Sequence, residues 1–261
     1  MSVGISNNYM NIQEKPAFCG TKANKLANKW RRELKHIDLT PGSPISDAFV
    51  KEMAQGIESL GIVGKKIINP RTVKLKELKY KLAQKTSDAF PELKKLQPRG
   101  WPKDLTWDNN SCIHRGGGKR LIGLFEKPIG IQPQASISSV RHDTSHELDE
   151  MFHKICGDNF TDTKGFTRAY LGDIKNSTIN IRKYGKKVKN ADHYINYLIQ
   201  GSTFYKATEG GKKETFAEIF AMLNGGSAQE EFSKGMDKLY KQVFPNTVAY
   251  VEKLLGLLGK R

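Results

Sequence analysis

The chain has 261 residues, 38% of them hydrophobic and 9% aromatic, enough apolar side chain for a buried core in one large domain or two small ones. Its formal net charge of +16 favours acidic partners such as nucleic acid, anionic lipid or an acidic protein, although lysines spread along the whole chain are equally the mark of a solvated surface. No window approaches 18 apolar residues, so no transmembrane segment is expected, and "MSVGISNNYMNIQEKPAF" lacks the basic start and apolar run of an ordinary secretory signal. The expected location is the cytoplasm, or outside the cell by a non-classical or specialised secretion route.

In chain order, "TKANKLANKWRRELKHI" places Leu26, Trp30, Leu34 and Ile37 at helical spacing, with lysines and arginines on the other face. "TPGSPISDAFVKEMAQGIESLG" predicts a second helix. Ser43 is its expected cap, Pro44 its first residue, Phe49, Met53, Ile57 and Leu60 its buried stripe, and Gly61 its end. "PRTVKLKELKYKLAQK" reads as a third basic helix, with Val73, Leu75, Leu78 and Leu82 apolar. Turn residues then accumulate in "PELKKLQPRGWPKDLTWDNNSC", followed by a Gly-Gly-Gly turn at 116–118 and a short strand in "KRLIGLFEK". Cys19, Cys112 and Cys156 are widely spaced and form no CxxC pair, so reduced thiols are expected rather than a disulfide scaffold. The expected fold class is α+β, with a basic helical region over 1–95 and a mostly helical domain carrying a small sheet over 96–261.

"SSVRHDTSHELDEMFHKI" predicts a helix capped by Ser138 or Ser139, with Val140, Leu148, Phe152 and Ile155 toward the core. His142 and His146 are four residues apart, so they project in nearly the same direction. Two imidazoles so placed can reach one Zn²⁺ at about 2.0–2.1 Å each. The residue after the first histidine then stands where a carboxylate can take a proton from an activated water, as in HExxH. Here that residue is Asp143. A bare His-x-x-x-His also arises by chance, and a metal site needs a third ligand. His153 lies seven residues beyond His146, about 10.5 Å along an unbroken helix, which is too far for one ion. His114 and His193 have no supporting pattern.

"KKETFAEIFAMLNGG" offers better candidates. Glu214 and Glu218 are also four apart on a helix ended by Gly225, and carboxylates among Phe216, Ala217, Ile219, Phe220 and Met222 are costly without compensation. One could ligate a metal while the other anchors a ligand histidine. The alternative is a helix whose acidic face meets water.

The two helices, in this order, resemble the catalytic domain of the anthrax lethal factor family of zinc metallopeptidases, to which the Pro-Pro endopeptidases look related. The motifs that carry the resemblance are "HDTSHELDEM", with Asp149 three residues after the second histidine, and "ETFAE". Around them stand "GWPKDLTW" and "KRLIGLFEK" upstream and "VFPNTVAYVEKLLGLLG" downstream. The likeness spans about residues 96–261. It implies a zincin-like domain holding one Zn²⁺ per chain through His142, His146 and Glu214. It further implies Asp143 as base, Tyr205 as the tyrosine that steadies the oxyanion, and Asp149 and Glu218 behind the ligands. A protein or peptide is then the substrate. The departure is Asp143, where the family has Glu. One methylene fewer withdraws the carboxylate by roughly 1–1.5 Å, and misplacement on that scale can cost around a hundredfold in rate.

Three functions follow as expectations: a zinc endopeptidase, a zinc-binding pseudopeptidase or interaction module without turnover, and a basic nucleic-acid-binding protein. The last is disfavoured, because no nucleic-acid motif is present and the aromatics are not interleaved with the basic residues. No pattern specifies an oligomer.

Overall fold

Alternation of apolar and basic residues in "LKYKLA" builds the centre of the sheet. Leu78, Tyr80 and Leu82 are fully buried, and Lys79 and Lys81 face the other way. A computed structural model describes residues 34–70, 75–94, 96–97, 103–115, 119–130, 133–185, 191–199, 209–224 and 230–259 of the chain, apart from the side chains of 177–178, 181–182, 192–194, 196, 209 and 230–235. Contacts divide the chain into Met1–Arg32 and Glu33–Arg261, and the architecture described is that of the second unit.

Four strands form one sheet in the order β1-β2-β4-β3: β1 (Ile37–Leu39), β2 (Lys79–Ala83), β3 (Cys112–Arg115) and β4 (Leu121–Phe125). β1, β2 and β4 run parallel, and β3 pairs antiparallel with β4, Ile113 opposite Gly123. Gly123 is needed there: a Cβ would lie 2.7 Å from ring atoms of both Phe90 and Phe125. The helices are α1 (Asp47–Ser59), α2 (Gly61–Ile68), the single turn α3 (Thr86–Ala89), α4 (Ile137–Cys156), α5 (Lys164–Tyr184), α6 (Ala191–Ile199), α7 (Glu209–Leu223), α8 (Glu230–Val243) and α9 (Pro245–Gly259). The fold is therefore mixed, mostly helical with a small sheet, as the pattern predicts. No helix among the described residues is long and apolar enough to cross a membrane.

Several local expectations change. The helix expected over 70–85 is strand β2 from Lys79, because Leu78 and Leu82 fit both a four-residue and a two-residue period and Tyr80 decides for the strand. The helix expected over 22–37 lies outside the described residues except at its end, where 34–36 form a 3₁₀ turn and Ile37 opens β1. β2 hydrogen-bonds along its length to β4, so the sheet crosses the division expected at 95/96. In α1 the cap is Ser46, whose hydroxyl accepts from the Phe49 N–H, three residues beyond Ser43. The predicted stripe of Phe49, Met53, Ile57 and Leu60 is buried. The glycine turn at 116–118 and Gly225 lie outside the described residues.

Helix α4 is the longest element of the site. Ser136 and Ser139 cap it reciprocally, two or three residues before the expected cap, and Gly157 ends it in the left-handed conformation at φ 86°. Val140 and Leu148 are buried as predicted and Phe152 is half-buried, but Ile155 is 58% exposed, because the final turn runs past the core. Between them Thr144 receives the Tyr80 hydroxyl at 2.7 Å and fixes α4 on the sheet. Helix α7 lies alongside α4, and its Phe216 joins Phe160, Phe166 and Tyr170 in one aromatic core.

Asp173 on α5, only 2% exposed, accepts four hydrogen bonds from Asn246 and Thr247 at the start of α9, at 2.7–3.3 Å. Asp173→Ala leaves those donors buried and unpaired. It should lower the unfolding free energy by about 2–3 kcal/mol, read as a shift of the urea midpoint at unchanged slope. An unchanged midpoint would show that water satisfies this helix end instead.

Candidate metal centre

A residue step of about 100° around α4 sends each four-residue pair to a different neighbour. Of the 140/144/148 row, Val140 lies against Gly56 of α1 and Thr144 meets Tyr80 of the sheet, and the 142/146 row faces α7. Nε2 of His142 lies 3.1 Å from Oε2 of Glu214 and 3.3 Å from Nε2 of His146. Nε2 of His146 is 3.8 Å from the other Glu214 oxygen. Nδ1 of His142 meets Oε1 of Glu218 at 3.1 Å. The structure thus brings together His142, His146 and Glu214, predicted as ligands, and sets Glu218 behind the first histidine.

The donor set fits a small divalent cation. Ligand atoms about 2.0–2.1 Å from a tetrahedral ion stand about 3.3–3.4 Å apart; the two imidazole nitrogens are 3.3 Å apart, and one Glu214 oxygen lies 3.1 Å from His142 while the other lies 3.8 Å from His146. The three side chains are 15–22% exposed, so the cluster is open to entry from solvent. Charge is unevenly divided within it. Burial disfavours charge on His142, but its bonds to Glu214 and Glu218 outweigh burial and hold its pKa well above 6.5. Burial, helped by the neighbouring His142 and His114, drives His146 down to about 3 against the pull of Glu214, so it keeps a neutral ring. Burial would raise Glu214, yet His142, His146 and Tyr197 bring it down to about 2.

Asp143 belongs to the next row, which faces β3. It is 4% exposed, its carboxylate interacts with the Cys112 thiol, and its Oδ2 has no hydrogen-bond partner. Burial raises its pKa, opposed by His142, Cys112 and His114. Burial and the adjacent Asp143 push the Cys112 thiol well up, so it stays protonated. Asp149, which the resemblance implies stands behind the ligands, accepts from the N–H and hydroxyl of Thr161, each at 2.9 Å. Tyr205, the side chain of His193 and "GW" of the upstream turn lie outside the described residues. His153 is exposed.

The sequence pattern missed Tyr197 and His114. The Tyr197 hydroxyl donates a short hydrogen bond to Oε2 of Glu214, the oxygen nearest His142. Burial and that carboxylate hold its pKa well above 10. His114 sits on β3 and bonds to Glu147 at 2.9 Å. The signal for it was the alternation in "CIHR", which puts Cys112 and His114 on one face of a strand. Cys112 and Cys156 are free thiols, as expected. No protein-family model matches this chain, and no curated protein is detectably similar to it.

Metal uptake should be pH-dependent with a defined sign. The raised pKa of His142 means that it still binds a proton above pH 6.5, and a metal must displace that proton. Zinc affinity should fall about tenfold per pH unit on acidification through that region, and Glu218→Gln should move the fall to lower pH. Chelator competition between about pH 6 and 9 measures both. An affinity flat across that range would mean that His142 is not a ligand.

Proposed function

We propose that this chain is a zinc-dependent endopeptidase of the zincin type, resembling the lethal factor family, and that it hydrolyses a peptide bond in a protein substrate. The observation that carries the reading is the convergence of His142, His146 and Glu214 within 4.8 Å of one another, with Glu218 on the far nitrogen of His142. A zinc ion held by these three residues supplies a Lewis acid for a peptide carbonyl and lowers the pKa of water. The carboxylate of Glu218 fixes the His142 ring with Nε2 toward the cluster and raises its basicity. Asp143 is the proton acceptor: its unpartnered Oδ2 takes a proton from water and returns it to the departing amine. The Tyr197 hydroxyl donates to Oε2 of Glu214 and orients that carboxylate. The excess of basic residues suits an acidic substrate.

One observation favours a second reading, zinc binding without turnover. Asp143 is almost wholly buried and its carboxylate is drawn to Cys112 on β3, away from the row that carries the ligands.

Purified protein should carry about one zinc per chain and cleave members of a degenerate peptide library, both lost in His142→Ala, with cleavage abolished by a chelator. Asp143→Ala should lower kcat by about a hundredfold or more at unchanged zinc content. Asp143→Glu should raise it if the missing methylene limits the rate. Protein without stoichiometric divalent metal would refute the zinc site. Full zinc occupancy with no cleavage before or after Asp143→Glu would establish the second reading.

A further inference from the structure

Beside the ligand cluster, α4 and β3 bring together a second set of donors that the steps above do not use. His114, Glu147 and Glu150 each place one donor atom within 4.8 Å of the others. Nε2 of His114 lies 2.9 Å from Oε1 of Glu147. Glu150 follows Glu147 by three residues, so the two carboxylates leave the same side of α4. Glu147 is buried, whereas His114 and Glu150 are half-buried, which leaves a way in from solvent. The His114 ring is 5.7 Å from that of His146, so the two donor sets are neighbours, and they share no residue.

Charge around this set favours a cation. Oε2 of Glu147 accepts from Nε of Arg120 at 2.7 Å, and the rest of that guanidinium bonds to the carbonyls of Lys76 and Ile67. One turn earlier in the Glu147 row, Asp143 is 4% exposed and leaves Oδ2 without a partner. Two buried carboxylates thus stand with one guanidinium, and a negative charge so enclosed is costly without a further cation. Arg120 does not close the site. It binds Oε2 and leaves Oε1 toward His114, as the outer hydrogen bond of a ligating carboxylate ordinarily does. An ion between Nε2 and Oε1 takes the place of the proton that bridges them, and that proton is released to solvent. Ligand atoms of one zinc ion stand about 3.3–3.4 Å apart, so the pair must open by only a few tenths of an ångström.

We infer that His114, Glu147 and Glu150 form a second divalent-cation site, separate from the set of His142, His146 and Glu214. One imidazole with two carboxylates suits a borderline ion such as Zn²⁺ better than Ca²⁺ or Mg²⁺, which take oxygen donors. An ion held there joins β3 to α4 and so fixes an edge strand of the sheet beside the first cluster. The inference does not need the peptidase reading, because the second site depends on its own ligands. Its ion is the more weakly held of the two and is lost on purification, which leaves about one zinc per chain.

The test titrates Zn²⁺ into the full chain, stripped with a chelator, and reads binding by calorimetry and bound metal by equilibrium dialysis. Wild type should take up two zinc ions per chain, in a tighter and a weaker step. His142→Ala should lose the tighter step and keep the weaker. Losing even an outer partner of a ligand costs about ten- to a hundredfold in metal affinity, so losing a ligand should cost at least as much. Glu150→Gln, at a half-buried side chain, should therefore keep the tighter step and weaken the other about tenfold or more, and His114→Ala should do the same. Thermal unfolding without metal shows that each variant folds. Zinc beyond the first equivalent should raise the midpoint of wild type further and leave that of Glu150→Gln where it is. Wild type that binds zinc only through His142 overturns the inference. So does a weaker step that is unchanged in both Glu150→Gln and His114→Ala, or one that vanishes in folded His142→Ala. Wild type that shows only the weaker step, lost in Glu150→Gln, upholds the second site while removing the first and with it the peptidase reading. Wild type that binds no zinc overturns both.

Discussion

Everything at this site depends on one costly arrangement: a helix that buries its polar side chains. Along α4, Asp143, Thr144, Ser145, Glu147 and Asp149 are all buried. Each must find a partner or charge the fold several kcal/mol. The rows are satisfied by different elements. Thr144 takes the Tyr80 hydroxyl from the sheet, Glu147 takes Arg120 and His114, and Asp149 takes Thr161. With three sides committed, the row of His142 and His146 is left to face α7. The rotation of the helix is therefore set by polar bookkeeping on its inner faces, and the ligand pair is aimed by groups that do not belong to it.

The sheet contributes more than a floor. β3 is short and pairs only with β4, yet its two inward residues meet two residues one helical turn apart: Cys112 reaches Asp143, and His114 reaches Glu147. A two-residue strand step of about 6.6–6.8 Å and a four-residue helical step of about 6 Å are nearly commensurate, so strand and helix can register side by side. The ligands in turn hold a surplus of negative charge. Glu214 and Glu218 face two imidazoles, of which His146 stays neutral. The proton on His142 offsets only part of that surplus, and a divalent cation would reverse the balance.

What was legible in the sequence follows from period and chemistry. The buried stripe of α1, the strand at Leu121–Phe125 and the α4 and α7 helices all declare themselves by spacing. So does the cluster of His142, His146, Glu214 and Glu218, whose members are paired at one helical turn on elements that pack together. β2 was misread because its leucines satisfy two periods at once. Tyr197 and His114 stayed hidden for another reason: each enters the site singly, from an element whose own pattern carries no ligand spacing. Arg120 was invisible in principle, since a lone arginine after a glycine turn reads as surface until Glu147 is seen beside it. Pairs within one element can be read locally, whereas contacts between elements require the fold.

Asp143 neighbours His142 in sequence, but one residue step turns it onto the row that faces β3. Its position is governed by Cys112 and the strand, and that of the ligands by Glu214, Glu218 and Tyr197 on the other side. The missing methylene therefore acts on one row only. The groups that position His142, His146 and Glu214 are thus distinct from those that position Asp143, and a change of side chain at 143 is felt first on its own row.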